Sequence, residues 1–163
     1  MKALVVYDSY FGNTKDVAIS IGNALKELME VEIAKVSDLD PKQVKGVDFL
    51  VVGSPTRAFQ ATKKMKDFIK NIRKQEYANM KVIAFDTRIA TEDVDSKMLS
   101  RMAKAFGYAA EPMGDMMEKR GAKLLLDPVG FYVKDTEGPL KDGEKDRAAN
   151  WVKEAIVKEI ENQ

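Results

Sequence analysis

The chain has no cysteine and no histidine among its 163 residues. Without cysteine there is no disulfide framework and no thiolate metal site. Without histidine the commonest acid–base group and the commonest metal ligand are both missing, which disfavours metal hydrolase and histidine-triad chemistry. Neither sign of charge prevails. Twenty-seven Lys and Arg stand against 26 Asp and Glu, a formal net charge of +1, without the basic excess of a nucleic-acid binder. No apolar stretch reaches the ~20 residues of a membrane helix. Lys2 precedes a short apolar run, but Asp8 ends it too early for a secretory signal. These absences predict a soluble, cytoplasmic, single-domain protein over residues 1–163, with no nucleic-acid or membrane partner.

What is present is an alternation of buried strands and amphipathic helices. Ala3-Leu4-Val5-Val6-Tyr7 is a short, continuous, β-branched run, the pattern of a strand covered on both faces. Val17, Ala18, Ile21, Ala24, Leu25 and Leu28 recur at helical spacing. Val31 to Val36 alternates like an edge strand, and Val47 to Gly53 and Met80 to Asp86 read as further buried strands. Helices follow at Met65–Ile72 and Met98–Phe106, the second stopped by Gly107. A last strand, Lys123 to Val133, is interrupted at Asp127-Pro128, and Ala148 to Ile160 closes the chain as a helix. The Ser37–Lys45 piece is long enough only for a turn or two. Met98, Met102, Met113, Met116 and Met117 are expected to fill the core, with a Met-lined partner surface as the alternative. Strands separated by helices imply an α/β fold with right-handed crossovers. The expected architecture is a doubly wound five-stranded parallel sheet in the order 2-1-3-4-5, with helices on both faces.

In such sheets ligands bind beyond the carboxyl ends of the strands. Three loops lie there. In the first, Ser9, Asn13 and Thr14 offer short donors, Gly12 permits a sharp turn, and a helix N-terminus points into the same space. Together they favour a phosphate without needing lysine or arginine. Helix capping alone explains Asn13 or Thr14, but not Ser9 and Gly12 in the same loop. The second loop is Gly53-Ser54-Pro55-Thr56-Arg57-Ala58-Phe59, and the third is Phe85-Asp86-Thr87-Arg88-Ile89. Polar loops carrying an aromatic and facing a phosphate cradle suit a flat heteroaromatic nucleotide. The alternative for Pro55, Thr56 and Phe59 is a plain turn with the ring packed onto the sheet. No Gly-x-Gly-x-x-Gly follows the first strand, which disfavours a dinucleotide fold. A phosphoacceptor receiver domain fails because Ser54-Pro55 stands where its aspartate belongs.

These motifs carry a family resemblance that spans essentially the whole chain. "VVYDSYFGNTKDVA" resembles the opening of the flavodoxin family, where a loop ending in Gly-Asn-Thr holds the phosphate of FMN. "VVGSPTRAF" resembles the second flavin loop, and "FDTR" falls where the third belongs. The resemblance implies FMN as cofactor. It assigns the cofactor site to Ser9, Tyr10, Phe11, Gly12, Asn13, Thr14, Pro55, Thr56, Arg57, Ala58, Phe59, Asp86, Thr87 and Arg88. The chain departs from the family pattern in three ways. Tyr10 and Phe11 stand where the family usually has short hydroxyl side chains, which leaves the backbone N–H groups at both positions to serve the phosphate. Phe59 is the nearest candidate to stack on the flavin. The chain is also not strongly acidic.

The resemblance implies an electron-transfer protein that works with redox partner proteins, as a monomer or homodimer. Alternatives are an FMN-dependent NAD(P)H reductase of quinones or iron-containing substrates, and a binding module that has lost FMN. Arg57 and Arg88 are expected to favour the fully reduced flavin anion unless neighbouring carboxylates such as Asp86 take them up. Lys63, Lys64, Lys66, Lys70, Arg73 and Lys74 read as a solvated helix face, with a docking patch for an acidic redox partner as the sharper alternative.

Overall fold

In the computed structural model, which describes residues 1–162, the strands β1 (Lys2–Tyr7), β2 (Glu30–Lys35), β3 (Phe49–Pro55) and β4 (Lys81–Ile89) lie parallel in the order β2-β1-β3-β4. The lane beyond β4 holds two pieces, β5 (Lys123–Leu124) and β6 (Val129–Val133), both parallel to it. Between the two pieces β4 advances from Val82 to Phe85, while the outer lane advances from Leu124 to Val129. The surplus is a bulge around Asp127-Pro128, so the sheet is the expected five-lane one with a broken last strand. Proline has no N–H for the ladder, which is why the break falls there.

Strand periodicity sorts the core into two halves. Ala3, Val5, Val51, Ile83 and Phe85 face α1 (Asn13–Lys26) and α6 (Glu144–Glu161), meeting Val17, Ile21, Leu25, Val152 and Ile156. Leu4, Val6, Leu50, Val52 and Val82 face the other way, toward α2 (Lys63–Asn71) and α5 (Ala110–Glu118), meeting Met65, Phe68, Ile69, Met113 and Met117. The Ser37–Lys45 piece forms short 3-10 turns, and a one-turn helix α3 (Lys74–Tyr77) follows α2. Met113 and Met117 are fully buried, as the sequence suggested. Helix α4 (Lys97–Phe106) differs. Met98 is 67% exposed, Leu99 44% and Phe106 65%, and only Ala103 of the helix is buried. Apolar spacing alone does not say whether a face meets the core or solvent.

The outer edge of β6 is covered by its own chain. Lys134 N–H donates to Pro139 O, Lys141 N–H donates to Tyr132 O, and Tyr132 N–H donates to the Glu144 carboxylate at 2.7 Å. This removes the free edge that invites aggregation. Arg147 clamps the same carboxylate and also donates to Gly130 O. Burial works to raise the Glu144 pKa, but the Arg147 and Tyr132 bonds outweigh it and hold it below the usual glutamate value. The folded-state pKa is therefore below the unfolded one. The stabilisation is present above the unfolded value and is lost as pH falls through the folded one. Glu144→Gln should cost about 1 kcal/mol at neutral pH and flatten the acid limb of stability against pH, measured by urea unfolding between about pH 3 and 7.

Candidate functional site

The carboxyl ends of β1, β3 and β4 feed a cleft of about 330 Å³. It is lined by Ser9, Tyr10, Phe11, Asn13 and Thr14 from the first loop, and by Pro55, Thr56, Arg57 and Ala58 from the second. Thr87, Arg88 and Ile89 line it from the third, and Val133 and Thr136 from beyond β6. The three loops read from the sequence thus meet at one cavity. Gly12, Phe59 and Asp86 stand beside or behind its wall. Ile89, the end of the third loop, also lines the cleft without an assignment to the cofactor, and Val133 and Thr136 are additions from outside the three loops.

The first loop is built around Gly12, whose φ of +92° ends the turn and starts α1. A side chain there would meet no atom within 4 Å, so the backbone conformation requires glycine and space does not. The first intrahelical bond runs from Asp16 N–H to Gly12 O, leaving the N–H groups of Asn13, Thr14 and Lys15 ahead of the ladder. Gly12 N–H donates to Ser9 Oγ at 3.1 Å, so the Ser9 hydroxyl keeps its own proton to donate. Ser9 N–H is held by Asp8 Oδ1 at 3.0 Å, and Asp8 Oδ2 accepts from Thr62 Oγ1 at 2.7 Å. The buried Asp8 thereby ties the first loop to the start of α2. Asn13 Nδ2 donates to Glu137 O at 3.1 Å, tying the loop to the segment after β6.

Thr14 joins the first loop to the third. Its Oγ1 lies 2.8 Å from Thr87 Oγ1, and both residues are buried. One of the two hydroxyls donates to the other, so one proton of the pair remains for a ligand. The second loop is fixed by Thr56, whose N–H donates to Thr87 O at 3.0 Å and whose Oγ1 accepts from Ala109 N–H at 3.0 Å. Beyond it, Arg57 and Gln60 exchange backbone hydrogen bonds around a tight hairpin. Its central residues, Ala58 (φ 46°) and Phe59 (φ 65°), are left-handed. Non-glycine residues adopt this conformation at a cost of about 1 kcal/mol or more each, and such strain gathers at binding loops.

The two arginines have different fates. Arg88 forks onto Asp86 with two bonds of 2.6 Å, lies 3.5 Å from Glu111, and stacks on Tyr108 at 3.9 Å. Asp86 is wholly buried and also accepts from Ala110 N–H at the start of α5. Burial pushes the Asp86 carboxyl up, while the Arg88 fork and the Ala110 N–H oppose that shift. Desolvation alone lowers the Arg88 pKa, but the Asp86 contact prevails and holds the guanidinium charged. Gly130 makes room for this pair, since a Cβ there would lie 1.9 Å from Arg88 Nε. The expectation that both arginines present free charge to the cleft is corrected for Arg88, because a buried carboxylate neutralises it. Arg57 makes no ion pair among the described residues. Its guanidinium lies 5.1 Å from the Tyr10 ring centre and 5.9 Å from that of Phe11. Phe59 packs on Phe106 of α4 at 5.9 Å.

A cleft at the strand-order switch point, with a helix N-terminus and hydroxyls at one end and arginine-bearing loops at the other, defines a nucleotide-binding α/β protein. The comparisons narrow this class. The flavodoxin domain family matches residues 4–119. Probable flavodoxin 1 of Bacillus subtilis (strain 168) is 26% identical over 129 residues, 78% of this chain and 79% of that protein. The flavodoxin of Aquifex aeolicus (strain VF5) is 36% identical over 73 residues, 44% of this chain and 40% of that one. Among solved structures, a flavodoxin from the domain Archaea superposes with a TM-score of 0.75 at 23% identity, covering 97% of this chain and 98% of that one. Oxidised Flavodoxin 2 from Bacillus cereus gives 0.72 at 20% identity, covering 97% and 99%.

The chain belongs to the flavodoxin family, whose members are flavin-binding electron-transfer proteins. Membership favours the electron carrier over the reductase and binding-module alternatives. No described helix is long and apolar enough to cross a membrane.

Proposed function

We propose that this chain binds FMN in the cleft and carries electrons between partner proteins in the cytoplasm. The observation that carries this reading is the chemistry of the first loop. Free N–H groups of a helix N-terminus, the Ser9 hydroxyl and the Thr14–Thr87 pair converge where an anionic group is stabilised without a lysine. In this reading Ser9, Gly12, Asn13 and Thr14 hold the phosphate, with Tyr10 and Phe11 contributing backbone N–H groups. Pro55, Thr56, Arg57 and Ala58 border one side of the ring and Thr87, Arg88 and Ile89 the other, while Phe59 and Asp86 support those loops from behind. The cavity volume lies within the range of small-ligand sites.

Bound FMN supplies the redox chemistry. The residues of this chain bind, orient and tune. Arg57 lies over the exposed Tyr10 and Phe11 rings at the rim of the cleft. The absence of histidine and cysteine is no handicap, because no protein nucleophile or acid–base dyad is required. The FMN-loaded protein should show negligible steady-state turnover of NADH or NADPH with a quinone while cycling readily with chemical reductants. Rapid NAD(P)H turnover would return the chain to the reductase reading.

Arg57, which forms no ion pair among the described residues, also makes a prediction. A guanidinium near a flavin that gains negative charge favours the more reduced form, with solvent screening keeping the effect to ~1 kcal/mol or less. Arg57→Gln should lower the potential for the second electron by a few tens of millivolts, read by spectroelectrochemical titration. Arg88→Met paired with Asp86→Leu, which removes a neutral pair, should leave it nearly unchanged. An unchanged potential in Arg57→Gln would remove the arginine from the tuning of the flavin.

A further inference from the structure

Asn13 divides its work between backbone and side chain. Its N–H is one of the groups left ahead of the α1 ladder. Its amide group instead reaches a segment 124 positions away, where Nδ2 donates to Glu137 O at 3.1 Å. The turn it meets, Asp135–Gly138, is closed by bonds of its own. Gly138 N–H donates to Asp135 O at 2.9 Å, and Thr136 N–H donates to Asp135 Oδ1 at 2.7 Å. Below the turn, Lys134 N–H donates to Pro139 O at 2.8 Å. All of these stay within the hairpin that follows β6. Among the described residues, the Asn13 amide makes the one hydrogen bond that joins this turn to another part of the molecule. The contact is also close: a Cβ on Gly138 would lie 2.4 Å from Asn13 Oδ1. Open space lies on either side of it. Asn13 lines the cleft, as Thr136 of the same turn does, and it also lines a second cavity of about 390 Å³ with Lys134, Pro139 and Leu140. The turn thus rests on one side chain between two cavities.

We propose that Asn13 is a positioning residue for the cofactor site: its amide latches the Asp135–Gly138 turn at the phosphate end of the cleft, so that the Thr136 hydroxyl meets bound FMN there and slows its release. The proposal rests on the FMN reading. Thr136 spends its backbone N–H inside the turn, and its exposed hydroxyl has no protein partner among the described residues, so its proton is available to a ligand. A turn held by a single outside bond opens locally at little cost, which gives the ligand a way in. Closure after entry then acts on the rate of release more than on the rate of association. Asn13 also couples the two events. Its N–H serves the ligand while its side chain holds the turn, so a bound phosphate favours the latched turn and the latched turn favours the phosphate by the same factor.

Stopped-flow fluorescence of FMN binding and release, with amide exchange at Gly138 read by nuclear magnetic resonance, tests it. Asn13→Ala keeps the backbone N–H and deletes the latch. It should release FMN roughly three- to tenfold faster, the worth of one neutral hydrogen bond, with the association rate within about twofold of wild type. Thr136→Val should release FMN faster by a similar factor. The double variant should be no faster than the faster single one, because the amide acts through the hydroxyl. In the flavin-free chain Asn13→Ala should speed Gly138 exchange by about threefold or more. FMN should slow that exchange in the wild type and leave it unchanged in Asn13→Ala. Three results would overturn the proposal. The first is release from Asn13→Ala at the wild-type rate. The second is a double variant whose release rate is the product of the two single effects, which would give the residues separate roles. The third is Gly138 exchange that does not respond to Asn13→Ala. A chain that binds no FMN while its Gly138 exchange still responds to Asn13→Ala would instead overturn the cofactor reading and reduce the latch to a tie between two loops.

Discussion

Asp86→Ala should lower the unfolding free energy by about 3–5 kcal/mol, the usual cost of leaving one partner of a buried ion pair alone. Asp86 has no exposed surface and is bound three times, twice by Arg88 and once by Ala110 N–H. Removing it leaves a largely buried guanidinium unpaired and an α5 N–H unsatisfied. For a chain of this size the expected drop in melting temperature is roughly 6–20 °C, read by calorimetry. The double change Asp86→Leu/Arg88→Met should recover a large part of the loss, because paired apolar groups of similar volume replace a buried ion pair without leaving an orphan charge. A loss under about 1 kcal/mol in Asp86→Ala would mean that the pair does not anchor the third loop.

Ser9→Ala combined with Thr14→Val should weaken FMN binding about 100-fold or more. Each change removes one donor to a charged group, worth about 1.5–3 kcal/mol. Thr14→Val keeps the buried shape while deleting the hydroxyl that meets Thr87 at 2.8 Å. Riboflavin has no phosphate, and its affinity should move by no more than about threefold, which corresponds to under 1 kcal/mol. Fluorescence titration of the apoprotein with both flavins reads the difference. Equal losses for the two ligands would place the damage in loop structure and not in phosphate recognition.

The strands and the three loops were legible because their signals are local. A β-branched run that ends in a small polar loop before an amphipathic helix needs no tertiary information. The break at Asp127-Pro128 was legible for the same reason. The Asp86–Arg88 pair carried a signal that the sequence reading used only in part. Residues two apart on a strand share a face, so Asp86 and Arg88 look toward α5 while Thr87 between them turns to Thr14 of α1. Ile89 belongs to the third loop, but Val133 and Thr136 reach the cleft because β6 pairs with β4, a contact that follows from the strand order and not from any local pattern. Met98 of α4 lies outside the core that its sequence pattern predicts. The spacing along α4 is that of any amphipathic helix, and nothing in the order Met98, Leu99, Met102, Phe106 tells a solvent-facing stripe from a buried one.

The central claim is that the cleft holds FMN by its phosphate. It is tested most directly by the visible spectrum of the purified protein, with mass spectrometry of the flavin released on denaturation. The account predicts a yellow protein whose released flavin is FMN, and apoprotein that binds FMN at least 100-fold more tightly than riboflavin, a difference of about 2.7 kcal/mol. A colourless protein whose apo form binds FMN and riboflavin equally weakly, or not at all, would contradict it.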